Sequence, residues 1–239
     1  MRILDFTFAS PAENLACDEA LLDWCETHDG PEVLRFWESP VPFVVVGYGG
    51  RVAQEVCVGA CAAHGVPILR RCSGGGTVVQ GPGCLSYALV LRIEPDGPTR
   101  SITTTNRFVL ERNAAALSAA RGQIVSVRGQ TDLALGDLKV SGNSQRRRRR
   151  FLLFHGTFLL HADLSRIAAL LPMPPREPDY RRGRAHGDFI TNLGLSQSAV
   201  KSALATAWGA RGQFETDLSA AVERLVAEKY SRPEWNWKF

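Results

Sequence analysis

Between residues 124 and 160 the sequence alternates short apolar runs with tight polar connections, and this pattern constrains the fold most. The connections are a Gly-Asp turn and a run of arginines, as expected of antiparallel strands that follow one another along the chain. Four strands are therefore predicted, at Ile124–Arg128, Leu133–Leu135, Leu138–Ser144 and Phe151–Leu160.

The N-terminal half alternates strands with helices instead. Ser10, Pro11 and Glu13 form a helix-start signal, with proline at the first helical position and glutamate at the capping-box position, so a helix is predicted as far as Glu26. The other apolar runs predict strands at Arg2–Phe8, Val33–Trp37, Phe43–Tyr48 and Pro67–Arg71, a helix at Val52–His64, and a hairpin of Thr77–Gln80 with Cys84–Ile93.

Most of the remaining sequence has helical patterns. Helices are predicted at Thr103–Ala120, Asp163–Leu171, Ser196–Trp208 and Asp217–Tyr230. The segment Pro172–Asp188 is rich in Pro, Arg and Gly, and its length and composition predict a mobile loop that suits a lid. Because no repeat or composition break divides the chain, we expect residues 1–239 to form a single α/β (α+β) domain, a mixed β-sheet flanked by helices.

Positive charge is concentrated in one place. Arg146–Arg150 supply five of the 28 Lys and Arg residues, whereas the net charge of the whole chain is only +4. The remainder is close to neutral and does not favour nucleic-acid binding. No apolar stretch approaches the ~20 residues that a membrane span needs, and the N-terminus has a strand pattern, not that of a secretion leader. We therefore expect a cytoplasmic protein with no nucleic-acid or membrane partner.

The six cysteines all precede residue 85. Cys57, Cys61 and His64 have a spacing that merits a metal check, but they offer only three ligands and no second pair follows nearby to complete a tetrahedral site. Cysteine is also a common small buried hydrophobe. No metal site built by the protein alone is therefore predicted.

Three consecutive glycines follow two arginines, in the segment Arg70-Arg71-Cys72-Ser73-Gly74-Gly75-Gly76. Glycine adopts positive φ and lets the backbone approach a ligand closely, and backbone N–H groups can bind an anion beside two guanidinium groups. No Gly-Lys-Ser/Thr follows, so this is not a Walker P-loop. By themselves the residues leave two hypotheses open, an anion site or a tight connection flanked by solvated arginines.

Lys139 lies in an apolar strand context, in a chain that contains only four lysines. A compact ammonium group can bridge a carboxylate and a phosphate in one small site better than a planar guanidinium can. The alternative is a strand lysine that points to solvent. His155, on the next predicted strand, is by itself more typical of a structural histidine than of a catalyst.

Together and in this order, these segments resemble the lipoate–protein ligase A family, which shares its fold with biotin protein ligases and octanoyltransferases. The resemblance runs essentially from end to end. Its matching segments are Asn14-Leu-Ala-Cys-Asp-Glu19, Arg70-Arg71-x-Ser73-Gly-Gly-Gly76, Thr131-Asp132-Leu133, Lys139-Val-Ser-Gly142-x-x-Gln145, His155-Gly156-Thr157-x-Leu159-Leu160, Ala162-Asp163-Leu164 and Glu234-Trp235-Asn236.

The resemblance implies an ATP-dependent ligase in which lipoic acid attacks the α-phosphate of ATP, with Mg²⁺ on the phosphates. The resulting lipoyl-adenylate then modifies a lysine of an acceptor, an E2 lipoyl domain or a glycine-cleavage H-like protein. Lys139 is the implied catalytic residue. The residues implied to bind ATP and lipoyl-adenylate are Arg70, Arg71, Ser73, Gly74, Gly75, Gly76, Thr77, Val78, Val79, Asp132, Lys139, Ser141, Gly142, His155, Gly156 and Thr157.

Two alternatives compete with this hypothesis. An octanoyl- or lipoyltransferase of the same superfamily uses a cysteine nucleophile and no ATP, but residues 124–239 contain no cysteine. A basic interaction module centred on Arg146–Arg150 would bind an acidic partner, but the run has no interleaved aromatic residues. For the run itself we expect a solvated turn, or a patch that faces an acidic lipoyl domain.

The sequence departs from the family pattern in two places. Many relatives continue past the Trp-Asn segment into a small accessory domain, whereas this chain stops at Phe239, so a separate accessory subunit is expected as a partner. The glycine segment continues as Val78-Val79-Gln80-Gly81-Pro82-Gly83, where better-known ligases often have a stretch with Asp and Asn. Nucleotide contacts beyond Val79 are therefore left open.

Overall fold

Ten strands form two β-sheets in the computed structural model, which describes residues 1–239. They are β1 (Arg2–Asp5), β2 (Val33–Trp37), β3 (Phe43–Val46), β4 (Ile68–Arg70), β5 (Val78–Gln80), β6 (Cys84–Arg92), β7 (Val125–Arg128), β8 (Asp132–Leu135), β9 (Leu138–Arg147) and β10 (Phe151–Leu159). The larger sheet has seven strands in the order β1-β2-β6-β10-β9-β8-β7, and the smaller has three in the order β4-β3-β5.

Both sheets are mixed. In the larger sheet β1 and β2 are parallel, and every other neighbouring pair is antiparallel. In the smaller sheet β3 is parallel to β4 and antiparallel to β5. The predicted fold class is confirmed, and so is the meander, because β7, β8, β9 and β10 pair in the order in which they occur.

Nine α-helices flank the sheets: α1 (Pro11–His28), α2 (Val52–Glu55), α3 (Val58–Ala63), α4 (Ile102–Arg121), α5 (Ser165–Leu170), α6 (His186–Phe189), α7 (Gln197–Ala207), α8 (Ser219–Leu225) and α9 (Pro233–Asn236). The predicted capping box at the start of α1 is confirmed, because Ser10 Oγ accepts from the N–H of Glu13 and the Glu13 carboxylate accepts from the N–H of Ser10. None of the helices has the length and apolarity that crossing a membrane requires.

The larger sheet is buried on both faces. One face packs on α4 and α7, and its core includes Tyr87, Phe154 and Phe158. The other face packs on α1, α8 and the smaller sheet, and its core includes Phe43 and Ala88. A fully buried phenylalanine, such as Phe43 or Phe154, stabilises the fold by about 1.5–3 kcal/mol relative to an exposed one. The second face also buries charged groups, and the candidate site lies there.

The predicted hairpin of Thr77–Gln80 with Cys84–Ile93 is wrong. β5 pairs with β3 in the smaller sheet, whereas β6 pairs with β2 and β10 in the larger one. The intervening residues carry the chain from one sheet to the other, and Gly83 adopts φ +82° where a Cβ atom would overlap the carbonyl of His161. The glycines read locally as a turn, but the partner of each strand is fixed by burial.

Two predicted helices are also shorter in the structure. Val52–His64 is interrupted, because Val56 is extended (φ −135°, ψ 133°) and the N–H of Cys57 donates to the carbonyl of Leu170 instead of continuing the helix. Asp217–Tyr230 is regular only in α8, after which Val226–Tyr230 widens into a π-turn. β9, in contrast, is longer than predicted and ends at Arg147.

Candidate active site

Lys139 lies on β9 where the pairing of this strand with β8 shifts by one residue. Its Nζ is 2.8 Å from Oδ1 of Asp132, and 26% of its side chain is exposed. A Cβ atom at Gly142 would lie 3.0 Å from the same Nζ, so glycine at this position gives the lysine room to fold across the strand. The ammonium group is therefore held in place but remains accessible.

Asp132 holds two groups at once. While Oδ1 accepts from Lys139, Oδ2 accepts a 2.8 Å hydrogen bond from the hydroxyl of Tyr180. Burial, together with the neighbouring Asp132 carboxylate, raises the pKa of Tyr180. The tyrosine therefore stays protonated at neutral pH and acts as a donor, so both carboxylate oxygens are occupied.

Tyr180 belongs to the segment Pro172–Asp188, which the sequence predicts to be a mobile lid. The segment packs against the turn between β8 and β9, because Nη2 of Arg184 donates to the carbonyl of Asp137 at 3.0 Å. A few residues further on, the N–H of Thr191 donates to the carbonyl of Lys139 at 2.9 Å. The segment therefore borders the site of the lysine through Asp132 and the β8–β9 turn, and its movement as a lid stays a prediction.

The glycine loop, which we define as residues 74–77, lies over the middle of β9. Its carbonyls face the protein: Nη2 of Arg71 donates to those of Gly74 and Gly76, and Oγ of Ser144 donates to that of Gly74 at 2.8 Å. None of the four amide N–H groups of the loop donates to a protein acceptor. Free backbone amides beside a fixed cation are the arrangement that binds anions.

Close packing explains why glycines occur here. Gly75 has φ +84°, a conformation that L side chains rarely adopt, and a Cβ atom at Gly47 would overlap the carbonyl of Gly75. Burial lowers the pKa of Arg71 to about 10, which still leaves its guanidinium charged at neutral pH. The loop is therefore held against β9 by a cation that keeps its charge.

Arg70 points away from the loop, although it is adjacent to Arg71 in sequence. Its guanidinium is buried and donates to five backbone carbonyls, those of Gly47, Tyr48, Gly50, Trp235 and Asn236. These contacts tie the turn after β3 to the C-terminal helix. A nucleotide contact by Arg70 stays a prediction that its hydrogen bonds do not favour.

Ser73 and His155 lie beneath the glycine loop. Ser73 Oγ is 2.5 Å from His155 Nε2, and His155 Nδ1 is 3.0 Å from Asp18 Oδ2. The other oxygen of Asp18 accepts from Arg35 in a buried ion pair. Sequence reasoning missed Asp18 and Arg35 as site residues. The available signal was the presence of Asp18 in the motif Asn14-Leu-Ala-Cys-Asp-Glu19, whose polar residues are all buried in α1.

Strand alternation places the other predicted residues on different faces. Thr157 shares the face of Lys139, and its Oγ1 accepts a 2.7 Å hydrogen bond from Gln80. Ser141 lies on the opposite face, where its Oγ accepts from Asn143 at 3.2 Å. Gly156 is also on that face, because a Cβ atom there would overlap Oδ1 of Asn143.

The predicted site residues therefore divide into two groups. Those that the structure brings together on one face are Lys139, Asp132, Gly142, His155, Thr157, Arg71, Ser73 and the glycine loop. Arg70, Ser141 and Gly156 lie outside this group, and Val78 and Val79 continue from the loop into β5, where Val79 joins the core under the smaller sheet.

The arginine run is a solvated turn only in part, because Arg149 and Arg150 are exposed but most of the run makes contacts within the protein. Arg147 donates to the carbonyl of Thr99 at 2.7 Å, and Arg148 is 2.7 Å from the carboxylate of Asp23 on α1. Arg150 is paired with Glu26 and Asp29, two further acids near the end of α1. Arg146 and Arg149 make no side-chain hydrogen bond or ion pair. The run therefore fastens the β9–β10 hairpin to α1 and leaves two arginines without a partner.

Arg146 is a further candidate site residue that the sequence did not single out. It lies two residues beyond Ser144, on the same face of β9, with its guanidinium 5.8 Å from the centre of the Tyr48 ring. Its Nε is buried and lacks a hydrogen-bond partner. The five arginines are identical in sequence, and strand alternation decides which of them faces the site. That could be determined only from the structure, in which β9 extends through Arg147.

The cysteines near this face are buried thiols. Burial raises the pKa of Cys17 to about 11 and the pKa of Cys72 to about 12, and it raises that of Cys84 to about 12 as well. Since the thiolate is the nucleophilic form, a thiol with such a pKa is almost entirely unreactive at neutral pH. None of the three has the character of a catalytic nucleophile.

Sequence comparison relates the chain to proteins of lipoate metabolism. Residues 10–199 match the family described as the lipoyl protein ligase A/B catalytic domain. A putative lipoate-protein ligase A from Aeropyrum pernix is 35% identical over 171 residues, which are 71% of this chain and 61% of that protein. The octanoyltransferase LipM of Geobacillus kaustophilus is 24% identical over 99% of this chain and 98% of its own length.

Structure comparison gives the same fold. A bi-partite lipoate protein ligase from Thermoplasma acidophilum, described together with its E2 lipoyl domain, aligns with a TM-score of 0.83 at 23% identity. The alignment covers 99% of this chain and 95% of that one. A lipoate-protein ligase A bound with ATP aligns with a TM-score of 0.79 at 24% identity, over 99% and 98% of the two chains.

Proposed function

Because the chain belongs to the lipoyl protein ligase A/B catalytic domain family, we propose that it is an ATP-dependent lipoate–protein ligase. In the first step the carboxylate of lipoic acid attacks the α-phosphate of ATP, forming lipoyl-AMP and releasing pyrophosphate. In the second step the amine of an acceptor lysine attacks the lipoyl carbonyl, forming an amide and releasing AMP. The observation that carries the proposal is the ammonium of Lys139 on the same face as four free loop amides.

Lys139 is the proposed catalytic residue. The first step brings two anions together, so it requires fixed positive charge where they meet. The loop contacts β9 at Ser144 and Lys139 folds over Gly142, so the two features lie about 7 Å apart along the strand. This spacing suits an ammonium that contacts the lipoate carboxylate and the α-phosphate together, with the loop amides on the other phosphates.

Arg146 is proposed as a second phosphate ligand. A buried donor without a partner costs free energy unless something accepts from it, and Arg146 Nε is such a donor. Its position on the loop side of β9 would place a guanidinium, which bonds phosphate in two-pronged fashion, beyond the glycine loop from Lys139. Arg71, whose guanidinium holds the loop carbonyls, would act by shaping the loop.

Mg²⁺ is proposed to enter on the nucleotide. No group of three or more His, Cys, Asp or Glu side chains is arranged to hold a metal ion, and both oxygens of Asp132 are taken by Lys139 and Tyr180. Phosphate oxygens and water suit Mg²⁺ better than a protein cage. Bound in this way, the ion would neutralise charge on the leaving pyrophosphate.

A transferase is the alternative, since the similar proteins include octanoyltransferases. That reaction needs a cysteine nucleophile near the acyl group. The raised pKa values of the buried Cys17, Cys72 and Cys84, together with the absence of cysteine from residues 124–239, favour the ligase.

The proposed partners are a lipoyl acceptor and an accessory subunit. The Thermoplasma acidophilum ligase is bi-partite and was studied with its E2 lipoyl domain. By analogy we propose that an E2 lipoyl domain or an H-like protein supplies the acceptor lysine, and that a small second polypeptide assists adenylation. A cytoplasmic location also stays a prediction.

The test is direct detection of lipoyl-AMP. The protein is incubated with Mg-ATP, with and without lipoic acid, in the presence and absence of the accessory candidate, and the products are separated and weighed by mass spectrometry. We expect lipoyl-AMP and pyrophosphate only when lipoic acid is present. Lipoate-independent release of pyrophosphate, or no adenylate under any of these conditions, would contradict the proposal.

A further inference from the structure

A line of five buried polar side chains runs from β2, through α1 and β10, to the glycine loop. It begins with Arg35, whose Nη1 donates to Asp18, and continues through Asp18 Oδ2 to His155 Nδ1 at 3.0 Å. His155 Nε2 then meets Ser73 Oγ at 2.5 Å, and Ser73 Oγ meets Arg71 Nε at 3.1 Å. The members come from four separate elements and none is more than 8% exposed.

The two ends of this line fix the direction of its hydrogen bonds, because both ends are arginines and arginine can only donate. Burial alone would raise the pKa of Asp18, but the charge of Arg35 and the hydrogen bond from His155 outweigh it, so this pKa lies below its usual value. The carboxylate accepts from both neighbours, which puts a proton on His155 Nδ1. His155 Nε2 is the only acceptor within reach of the Ser73 O–H, so in the neutral imidazole Nε2 accepts from Ser73, and Ser73 in turn accepts from Arg71 Nε–H.

The far end of the line holds the loop. Arg71 donates through Nη2 to the carbonyls of Gly74 and Gly76, and the free amides of the loop are oriented by these bonds. The Ser73–His155–Asp18 order resembles that of a serine hydrolase, but Ser73 is fully buried and one of its two lone pairs accepts from Arg71. The serine is thus placed to orient, not to attack.

We propose that Asp18, fixed by Arg35, is a positioning residue: it sets the tautomer of His155 and thereby the orientation of the glycine-loop amides that bind the nucleotide. The inference rests on the proposed function, since the ligand of the loop is the ATP phosphate chain. It assigns to Asp18 an effect on ATP binding that passes through three side chains. Lipoate recognition and the chemical step at Lys139 do not depend on it.

Asp18→Asn is the variant that tests the proposal. Because Arg35 only donates, the new amide oxygen must face it, which turns the amide NH₂ toward His155 Nδ1. The histidine proton then moves to Nε2, so Ser73 accepts from both His155 and Arg71, and its own buried O–H loses its acceptor. Misplacement of catalytic groups by about 1 Å can cost up to about 100-fold, so we expect the KM for ATP to rise about 10- to 100-fold while kcat and the KM for lipoate change little.

The matched control is Tyr87→Phe. Tyr87 is fully buried on the opposite face of the sheet, where its hydroxyl donates to Asn143 at 2.7 Å and accepts from Asn113 at 3.0 Å. The control loses a buried polar network without touching the glycine loop, so a rise in the KM for ATP is not expected. Ser73→Ala removes the link between His155 and Arg71, and it is the variant to use if Asp18→Asn does not fold. The two changes should be non-additive when combined.

The tautomer itself is read by ¹⁵N NMR of histidine-labelled protein, with the His155 signal identified among the five histidines by its loss in His155→Gln. We expect the Nδ1–H form in the wild type and the Nε2–H form in Asp18→Asn. An unchanged tautomer, or an equal rise in the KM for ATP in Asp18→Asn and Tyr87→Phe, overturns the inference. Failure of the wild type to form lipoyl-AMP overturns the proposed function instead, and the NMR result is independent of that outcome.

Discussion

β9 carries positive charge at both ends, and the two ends have different surroundings. At its start, Lys139 has a single carboxylate partner and lies on the same face as four loop amides without acceptors. At its end, Arg147 and Arg148 are bound to a backbone carbonyl and to the acids of α1. Most of the charge at the end of the strand is thus paired within the protein, and of the two unpaired arginines there only Arg146 lies on the face of the site. The number of cations in a segment therefore says little about binding; donors that lack a protein partner and face one space say more.

The largest effect that this comparison predicts is at Lys139. A charge-assisted hydrogen bond contributes about 1.5–3 kcal/mol, or roughly 10- to 150-fold in rate, and Lys139 also positions the lipoate carboxylate. Lys139→Ala should therefore reduce lipoyl-AMP formation below detection and leave the thermal unfolding transition intact. Lys139→Arg should also form little lipoyl-AMP, since a planar guanidinium replaces a compact ammonium group. Pyrophosphate release at the wild-type rate from the folded variant would remove Lys139 from the mechanism.

A smaller loss of adenylation activity is expected for Arg146→Ala, and Arg149→Ala, three residues further on, is its control. Arg146→Ala removes an unpaired guanidinium that shares the site face, and we expect lipoyl-AMP formation to fall about 10-fold or more. Arg149→Ala removes an exposed guanidinium without a partner and should leave adenylation unchanged. Steady-state pyrophosphate release measures both. Equal rates in the two variants would show that the two arginines do not differ, against the comparison.

Tyr180→Phe should have a weaker effect on the same reaction. The ring keeps its contact with Phe189, at 5.1 Å between centroids, while the hydrogen bond to Asp132 is lost. Loss of one hydrogen bond costs about 0.5–1.5 kcal/mol, so we expect adenylation to slow about 2- to 10-fold as Asp132 and Lys139 become less fixed. A rate equal to that of the wild type would mean that Asp132 holds the lysine without help from the tyrosine.

The smallest effect is expected at Arg148, and it concerns stability alone. Its ion pair with Asp23 is partly exposed, and such pairs contribute about 0–1 kcal/mol. Arg148→Ala should lower Tm by about 2–4 °C at most, with adenylation unchanged and with a smaller difference at high salt. If Arg148→Ala lost adenylation activity without a lower Tm, Arg148 would have to be counted as a site residue.

The sequence predicted the parts of the molecule that depend on local pattern. The meander from β7 to β10, the Ser10 capping box and the placement of Lys139 on a strand beside the glycine loop all follow from periodicity, capping or family motifs. What it did not predict depends on tertiary partners. β5 reads as one arm of a hairpin with β6, but it pairs with β3. Arg70 and Arg71 are identical neighbours in sequence, yet one binds the C-terminal segment and the other the glycine loop.

The same limit applies to charged groups within the core. Asp18 and Arg35 are 17 residues apart, in a helix and a strand, and their pairing depends on how α1 packs on the larger sheet. Arg146 differs from Arg149 only because β9 continues two residues past Gln145, so that alternation turns one guanidinium toward the site. Strand ends and helix packing are the features that a single sequence specifies least.

The central claim is that this protein joins lipoate to an acceptor lysine at the expense of ATP, and the mass of an acceptor lipoyl domain tests it most directly. The domain is incubated with the protein and the accessory candidate in two parallel reactions, one with lipoic acid and Mg-ATP, the other with an octanoyl thioester of a carrier protein and no nucleotide. We predict lipoylation of the acceptor lysine in the first reaction, abolished by Lys139→Ala, and no modification in the second. Octanoylation in the second reaction without lipoylation in the first would contradict the account and make the protein a transferase.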